Sequence, residues 1–434
     1  MKFLTSLTAL LVATASTVFA AALSEDATTA VLNARAVYPV QGEPPYTQNL
    51  TDFKAAITCL PAKVGTAKGG VVLLIHGTGS TGRESWLSGP YTDILPALSP
   101  GFDVCYLTLP YRALRDVQVS AEYVVYAVKS LALRSATKKV HIIGHSQGAG
   151  VNPQWAMAHS QEGPDLLALS GNFKGSLSNV TDAGISTGKL PVLSAALFQQ
   201  FGGSHYMAAQ NRIAPAALIT NMTSIYSAFD EVVPPSSSKL DGAANFLIQD
   251  VCKNPLLLVD HFLNIVEFST FALAYDALLN GRADASRFDR KRCYTYPNGS
   301  GKKLDDLVAQ LYAVVADLTS IIFTNKAPGE PLLKPEASLR FGGSSNDTNT
   351  MQHHLSRRLY HSHGIQHRRH SLDNDFNLIL PLEELLPVSV YVLPSLRPSR
   401  GRKKRLRYLV SAWIFAVLNL SCIFTASPTT TPSL

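Results

Sequence analysis

A serine hydroxyl is a weak nucleophile near neutral pH. It needs a base within hydrogen-bond reach, and that base needs a carboxylate to hold it in one tautomer. The chain offers all three groups. Ser146 sits in Gly144-His-Ser-Gln-Gly148, a GxSxG motif, Asp230 closes the stretch Ile225-Tyr-Ser-Ala-Phe-Asp230, and His261 follows Leu256-Leu-Leu-Val-Asp260. Serine, aspartate and histidine in that order are what a nucleophile on a strand-to-helix turn requires of its partners. His76, His145 and His205 compete for the role of base. His76 comes before the serine and His145 stands beside it, so neither fits the chain order. Asp230 also reads as a plain turn residue, and Asp260 as one that solvates its loop. The chemistry implied is acyl transfer through a covalent intermediate.

A tetrahedral intermediate needs donors aimed at its oxyanion. Gln147 supplies one, because its backbone N–H directly follows the nucleophile. The loop Gly77-Thr-Gly79 supplies another, since its glycines allow close backbone approach and Thr78 adds a hydroxyl. A Gly-rich turn alone is the plainer reading of that loop. A phosphate cradle is poorer, because the lysine of a GK[ST] sequence is missing.

These groups must be held by elements that the apolar patterning locates. Val140–Ile143 is a β-branched run and reads as a buried strand, and a helix is expected from Gln147, so Ser146 falls on the turn between them. Gly144 and Gly148 relieve the crowding of a strand that turns straight into a helix. Gly69–Gly77, Phe102–Leu107, Leu166–Leu169 and Ile219–Tyr226 read as further strands, the first buried on both faces of a parallel sheet. Leu256–Val259 reads as a short strand that delivers His261. Val117 to about Leu133 is helical, with Val119, Tyr123, Tyr126, Ala127 and Leu131 along one face. Asn49–Cys59 carries a weak helical pattern. Val151–His159 continues the helix after the serine, and Pro153 inside it is expected to kink it. Thr181–Gly203 is less regular and reads as a lid, while Leu304–Phe323 is long enough to wall a pocket. Strand, helix and strand in succession predict a parallel sheet with its chemistry at the carboxyl ends of the strands.

The ends of the chain have a different character. Residues 1–20 have the positive Lys2, apolar middle and small-residue end of a secretory signal peptide, and 21–46 read as a propeptide or N-terminal arm. The body spans 47–340. Residues 341–434 form a basic, poorly patterned extension expected to be disordered or weakly packed. That extension holds nearly all of the net charge of +7 and half of the histidines, so a nucleic-acid partner is not indicated. Tyr408–Ala426 approaches the length of a membrane span, but a basic cluster at Arg402–Arg407 would then lie on the exported side, against the positive-inside rule. A stable span is not expected. An extracellular location fits few, pairing cysteines and the sequons at Asn49, Asn179, Asn221, Asn298, Asn346 and Asn419.

At its chemical residues the chain resembles the fungal lipase B family. The resemblance rests on Leu74-Ile-His-Gly-Thr-Gly-Ser-Thr-Gly82, Asp116-Val-Gln-Val with Glu122-Tyr123, Ser146-Gln-Gly with Gln154-Trp155, Asn172-Phe-Lys-Gly175, Ile225–Val233 and Val259-Asp-His261. It covers roughly Asn49 to Arg340. It implies an α/β fold of the α/β-hydrolase type, a mostly parallel central sheet with helices on both faces. It implies Ser146 as nucleophile, Asp230 as acid, His261 as base, and Thr78 with Gln147 as oxyanion hole. The expected substrate pocket includes His145, Asn172, Gln200 and Val232. Two disulfides are expected, Cys59 with Cys105 and Cys252 with Cys293, which leaves Cys422 odd.

The implied activity is a secreted serine ester hydrolase acting on carboxylic, triacylglycerol-like esters, monomeric, with no metal or organic cofactor. Its substrate is a lipid or a small ester, with a lipid–water interface as one place of action. A short-chain or aryl esterase and an acyltransferase remain open. A protein of this fold that only binds lipid would lack turnover, and the three triad candidates argue against it. His145 and Asn172 depart from the tryptophan and aspartate of the family's familiar member, and the chain after Phe341 matches nothing in it.

Overall fold

Val71–Ile75 is five consecutive branched apolar residues, and every one is fully buried in a strand. Such a run forms where both faces of a sheet are covered, and each buried side chain stabilises the fold by about 1.5–3 kcal/mol. The computed structural model describes residues 44–87, 89–158, 165–176, 193–212, 221–296 and 325–334. The strands are β1 (Ile57–Cys59), β2 (Val71–Ile75), β3 (Asp103–Leu107), β4 (Val140–His145), β5 (Asp165–Leu169), β6 (Met222–Tyr226) and β7 (Ala244–Leu247). They form one sheet in the order β1-β3-β2-β4-β5-β6-β7. Only β1 runs antiparallel to its neighbour; the other pairings are parallel. Chain order reverses around β2 and β4, and the crevice at the carboxyl ends there is where such sheets place ligands.

The helices used below are α1 (Leu50–Ala55), α2 (Gly82–Trp86), α3 (Val117–Arg134), α4 (Val151–Ala158), α5 (Ala195–Gln199), α6 (His205–Arg212) and α7 (Phe268–Asn280). Alternation along β2 splits the core. Val71, Leu73 and Ile75 pack with residues of α1, α3 and α4, while Val72 and Leu74 pack on the opposite face with residues of α2 and α7. Cys59 bonds Cys105 across the β1–β3 pair, and Cys252 bonds Cys293. No helix among the described residues is long and apolar enough to cross a membrane.

Several expectations need correction. Asn49–Cys59 is a short helix and then the edge strand β1, because the turn after Ala55 lets Ile57–Cys59 pair with Leu107–Cys105. Leu256–Val259 is not a strand. Leu256 and Leu258 are exposed, a turn begins at Pro255, and the sheet ends instead with β7, unread in the sequence. A single 3-10 turn, Ser146–Gly148, precedes α4, so the α-helix starts at Val151 and not at Gln147. Pro153 therefore falls in the first turn, where backbone N–H groups have no partner within the helix, and it costs no hydrogen bond. Most of Thr181–Gly203, expected as a lid, Leu304–Phe323, expected as a pocket wall, the expected signal peptide and the extension after Phe341 lie outside the described residues.

Candidate active site

The turn between β4 and α4 holds Ser146 at φ 55°, a left-handed conformation that costs a non-glycine residue about 1–2 kcal/mol. The flanking glycines are required by contact. A Cβ on Gly144 would lie 2.0 Å from the Gly148 carbonyl oxygen, and one on Gly148 would lie 2.3 Å from that of His76. The hydroxyl is thereby raised at the carboxyl edge of the sheet, next to the loop that follows β2. A Cβ on Gly77 of that loop would stand 3.0 Å from the Cβ of Ser146.

Asp230 and His261 arrive on the loops after β6 and β7. His261 Nδ1 lies 2.9 Å from each carboxylate oxygen of Asp230, so Nδ1 carries the proton and Nε2 is left as the acceptor. The backbone N–H groups of Val232 and Val233 donate to Asp230 Oδ1 at 3.0 and 2.7 Å, and the Ser170 hydroxyl bonds the same carboxylate. Asn264 donates to Ser170 Oγ and accepts from Thr270 Oγ1, which anchors this chain of contacts in α7. Burial alone would raise the Asp230 pKa, but His261 and these donors hold it below the ordinary value. Burial alone would lower that of His261, but Asp230, with Glu231 and Asp260 nearby, carries it above 6.5. Glu231 Oε2 accepts from the His261 backbone N–H at 3.1 Å, and burial with the Asp260 charge pushes its carboxyl up to about 7. Among the described residues no hydrogen bond joins Ser146 Oγ to His261, a link that commonly tightens only when substrate binds.

Thr78 and Gln147 face each other across the crevice. The Thr78 hydroxyl donates to Gln147 Oε1 at 2.6 Å and accepts from Gln200 Nε2 at 3.1 Å. Asn172 Nδ2 donates to Gln200 Oε1 at 2.8 Å, which turns the Gln200 NH₂ toward Thr78, and Gln147 Nε2 reaches Asn152 Oδ1. Among the described residues neither the Thr78 nor the Gln147 backbone N–H is taken by another acceptor. Both are available to an oxyanion.

His145, expected in the pocket, is buried beside His261, its Nε2 2.9 Å from the His261 carbonyl. Asn172 and Gln200 stand under Thr78, while Val232 serves Asp230 through its backbone. His205 opens α6 and contacts none of these groups; its N–H bonds Glu330. Asp260 accepts from the N–H groups of Phe262 and Leu263.

Two residues hold the loop after β2 that the sequence reading passed over in that role. His76 Nε2 accepts from Leu109 N–H at 2.9 Å, so its Nδ1 carries the proton and donates to the Gly77 carbonyl at 2.7 Å. In a trans peptide that carbonyl points away from the following N–H, so the contact aims Thr78 N–H to the other side. Burial pulls the His76 pKa down to about 4, and the ring is neutral. Arg112 is the second. It lies in the loop after β3, where Tyr111, Arg112 and Ala113 take φ of 50°, 58° and 55° in succession. At about 1–2 kcal/mol each, three consecutive left-handed residues persist only where other contacts hold them. A third missed residue, Gln249, ties the loops that carry Asp230 and His261. Its Oε1 accepts from Ala228 N–H at 3.0 Å, and its Nε2 donates to Ser227 Oγ and the Leu257 carbonyl at 2.9 and 2.8 Å. No local spacing signals such contacts. Among the described residues no group of three or more His, Cys, Asp and Glu side chains is placed to hold a metal ion.

No family model matches the chain. Lipase B of Pseudozyma antarctica is 28% identical to it over 315 residues, which span 69% of this chain and 88% of that protein. The crystal structure of Aspergillus fumigatus lipase B matches it with a TM-score of 0.59 at 25% identity, covering 70% of this chain and 75% of the other. The chain thus resembles lipase B in sequence and in fold.

Proposed function

We infer that this α/β-hydrolase, similar to fungal lipase B, is a secreted serine hydrolase that cleaves carboxylic, triacylglycerol-like esters through an acyl-enzyme on Ser146. The reading is carried by one observation, the contact of His261 Nδ1 with both oxygens of Asp230 beside the strained turn that presents Ser146. Ser146 Oγ attacks the ester carbonyl as its proton passes to His261 Nε2. The Thr78 and Gln147 N–H groups hold the oxyanion, and Asp230 stabilises the imidazolium. The carbon–oxygen bond to the alcohol then breaks, and the alkoxide takes the proton from His261. Water, activated by the same base, adds to the acyl carbon and returns Ser146 with release of the acid.

Asn172 and Gln200, bonded to each other and through Gln200 to Thr78, line the pocket in this reading, and His145 and Val232 complete it. Residues 47–340 are assigned as the catalytic body, 1–20 as a signal peptide, 21–46 as a propeptide or arm, and 341–434 as an appendage. The protein acts as a monomer. Exposed Phe229, Leu256 and Leu258 on the loops of Asp230 and His261 favour a lipid surface over a small soluble ester.

The test is covalent labelling of the full chain by an organophosphate, together with rates on emulsified triglyceride and on a short soluble ester. Labelling is expected to vanish in Ser146→Ala, and the emulsion to be the better substrate. A folded wild type that neither labels at Ser146 nor hydrolyses either ester overturns the assignment. Hydrolysis confined to the soluble ester makes the protein a short-chain esterase instead.

A further inference from the structure

We propose that Arg112 is a positioning residue for the oxyanion loop, clamping residues 77–81 so that the Thr78 N–H is fixed before substrate arrives. The proposal rests on the serine hydrolase reading and deepens it. The clamp is reciprocal: Gly79 N–H donates to the Arg112 carbonyl at 2.7 Å, and Arg112 Nε donates back to the Gly79 carbonyl at 2.7 Å. Gly79 is thus held through both of its backbone polar groups by one residue. The rest of the guanidinium forms a two-pronged pair with Glu84, Nη1 at 3.0 Å to Oε1 and Nη2 at 2.5 Å to Oε2. Glu84 lies in α2, the helix into which the loop runs, and its N–H is capped by Thr81 Oγ1 at 3.2 Å. Arg112 therefore binds the loop at its middle and, through Glu84, the helix that follows it.

The left-handed backbone at 111–113 makes this geometry possible. With Arg112 at φ 58°, its carbonyl and its Nε group both turn toward the same glycine. The same segment also holds His76, through Leu109 N–H, and helix α5, through the Leu114 carbonyl that accepts from Ala196 N–H. Gln200, whose amide supports the Thr78 hydroxyl, follows directly on that helix. One strained loop thus fixes three approaches to Thr78, and Arg112 contributes the only guanidinium among the described contacts to residues 77–81. A planar fork with five donors suits this task, whereas a lysine ammonium lacks a donor in the Nε position.

The experiment compares wild type with Arg112→Gly and Arg112→Lys in the full chain. It reads kcat and KM on a soluble ester and amide hydrogen exchange at residues 77–81. Glycine accepts φ 58° without strain, so Arg112→Gly removes the side chain while easing the backbone and is expected to fold. A loosened oxyanion loop costs turnover more than binding, so kcat should fall roughly ten- to a hundredfold with KM nearly unchanged. Exchange at Gly79 and Ser80, whose N–H groups are hydrogen-bonded, should quicken, and Arg112→Lys should recover only part of both effects. Unchanged exchange in Arg112→Gly, or unchanged kcat in an active enzyme, overturns the proposal. Should Arg112→Gly not fold, Arg112→Lys decides by the same two readouts. An inert wild type would overturn the functional reading instead, and exchange at Gly79 and Ser80 would still judge the clamp.

Discussion

His145 Nε2 lies 2.9 Å from the backbone carbonyl of His261, with the two rings 4.6 Å apart, so the residue before the serine holds the main chain of the proposed base. A carbonyl only accepts, so Nε2 carries the proton. Burial, with His261 close by, pulls the His145 pKa down to about 3, and the ring stays neutral. His145→Phe keeps an aromatic ring and deletes the donor. A buried carbonyl left unpaired costs about 1–3 kcal/mol, so a thermal melt should show a lower Tm, and kcat should fall. The acid limb of the pH profile should stay where it was, because no charge was lost. A displaced limb would show that His145 titrates.

As the proposed base, His261 acts only when deprotonated, so kcat/KM should rise with pH through its pKa, above 6.5. Glu231 favours the imidazolium once it ionises near pH 7. Glu231→Gln removes that charge and should move the acid limb to lower pH. Stability gives a second sign. A carboxyl whose folded pKa is raised from 4.5 to about 7 contributes stability that is full below 4.5 and lost as pH rises through 7. Melts from pH 4 to 8 should therefore show wild type losing more Tm over that window than Glu231→Gln. Parallel melting curves, with an unmoved acid limb, would remove Glu231 from the electrostatics of the site.

Gln249 bonds Ser227 and Ala228 ahead of Asp230 and Leu257 ahead of His261. It is the clasp between the two loops whose side chains meet at 2.9 Å. Gln249→Leu keeps the bulk and loses every bond. If the clasp sets the distance, kcat should drop roughly tenfold, while KM for a short ester barely changes. Gln249→Glu can still accept from Ala228 but cannot donate to Leu257, and should fall between wild type and the leucine variant. Equal kcat in all three would show that the loops meet without it.

Much of this arrangement was legible in the chain for a physical reason. Strands β2 to β6 are five or six residues long, mostly apolar and buried almost throughout, and chain order put Asp230 and His261 forward as partners. The edges were not legible. β1 is three residues long, and β7 carries Asn245 and is largely half-buried, so neither has the continuous apolar character of a central strand. Leu256–Val259 misled for the opposite reason, an apolar run in which Leu257 and Val259 pack inward without a strand partner while Leu256 and Leu258 face solvent. The orienting roles of His76, Arg112 and Gln249 left no trace, because they work largely on backbone groups that any sequence would supply.

That exposed run carries the last prediction. Leu256 is 79% exposed, Leu258 48% and Phe229 39%, and all three lie on the loops clasped by Gln249. Apolar side chains gathered on neighbouring exposed loops are suited to contact with a lipid surface. Against an oil surface, half-burial of each leucine contributes about 1 kcal/mol, so Leu256→Ser with Leu258→Ser should weaken adsorption roughly thirtyfold. The rate on emulsified triglyceride should fall with it at low substrate area. The rate on a dissolved short ester should hold, because neither side chain is a partner of Ser146, Asp230 or His261. Adsorption to an emulsion, measured by depletion from the aqueous phase, separates the two effects. Unaltered adsorption would mean that the leucines do not meet the lipid, whereas losses on both substrates alike would place them in support of the His261 loop.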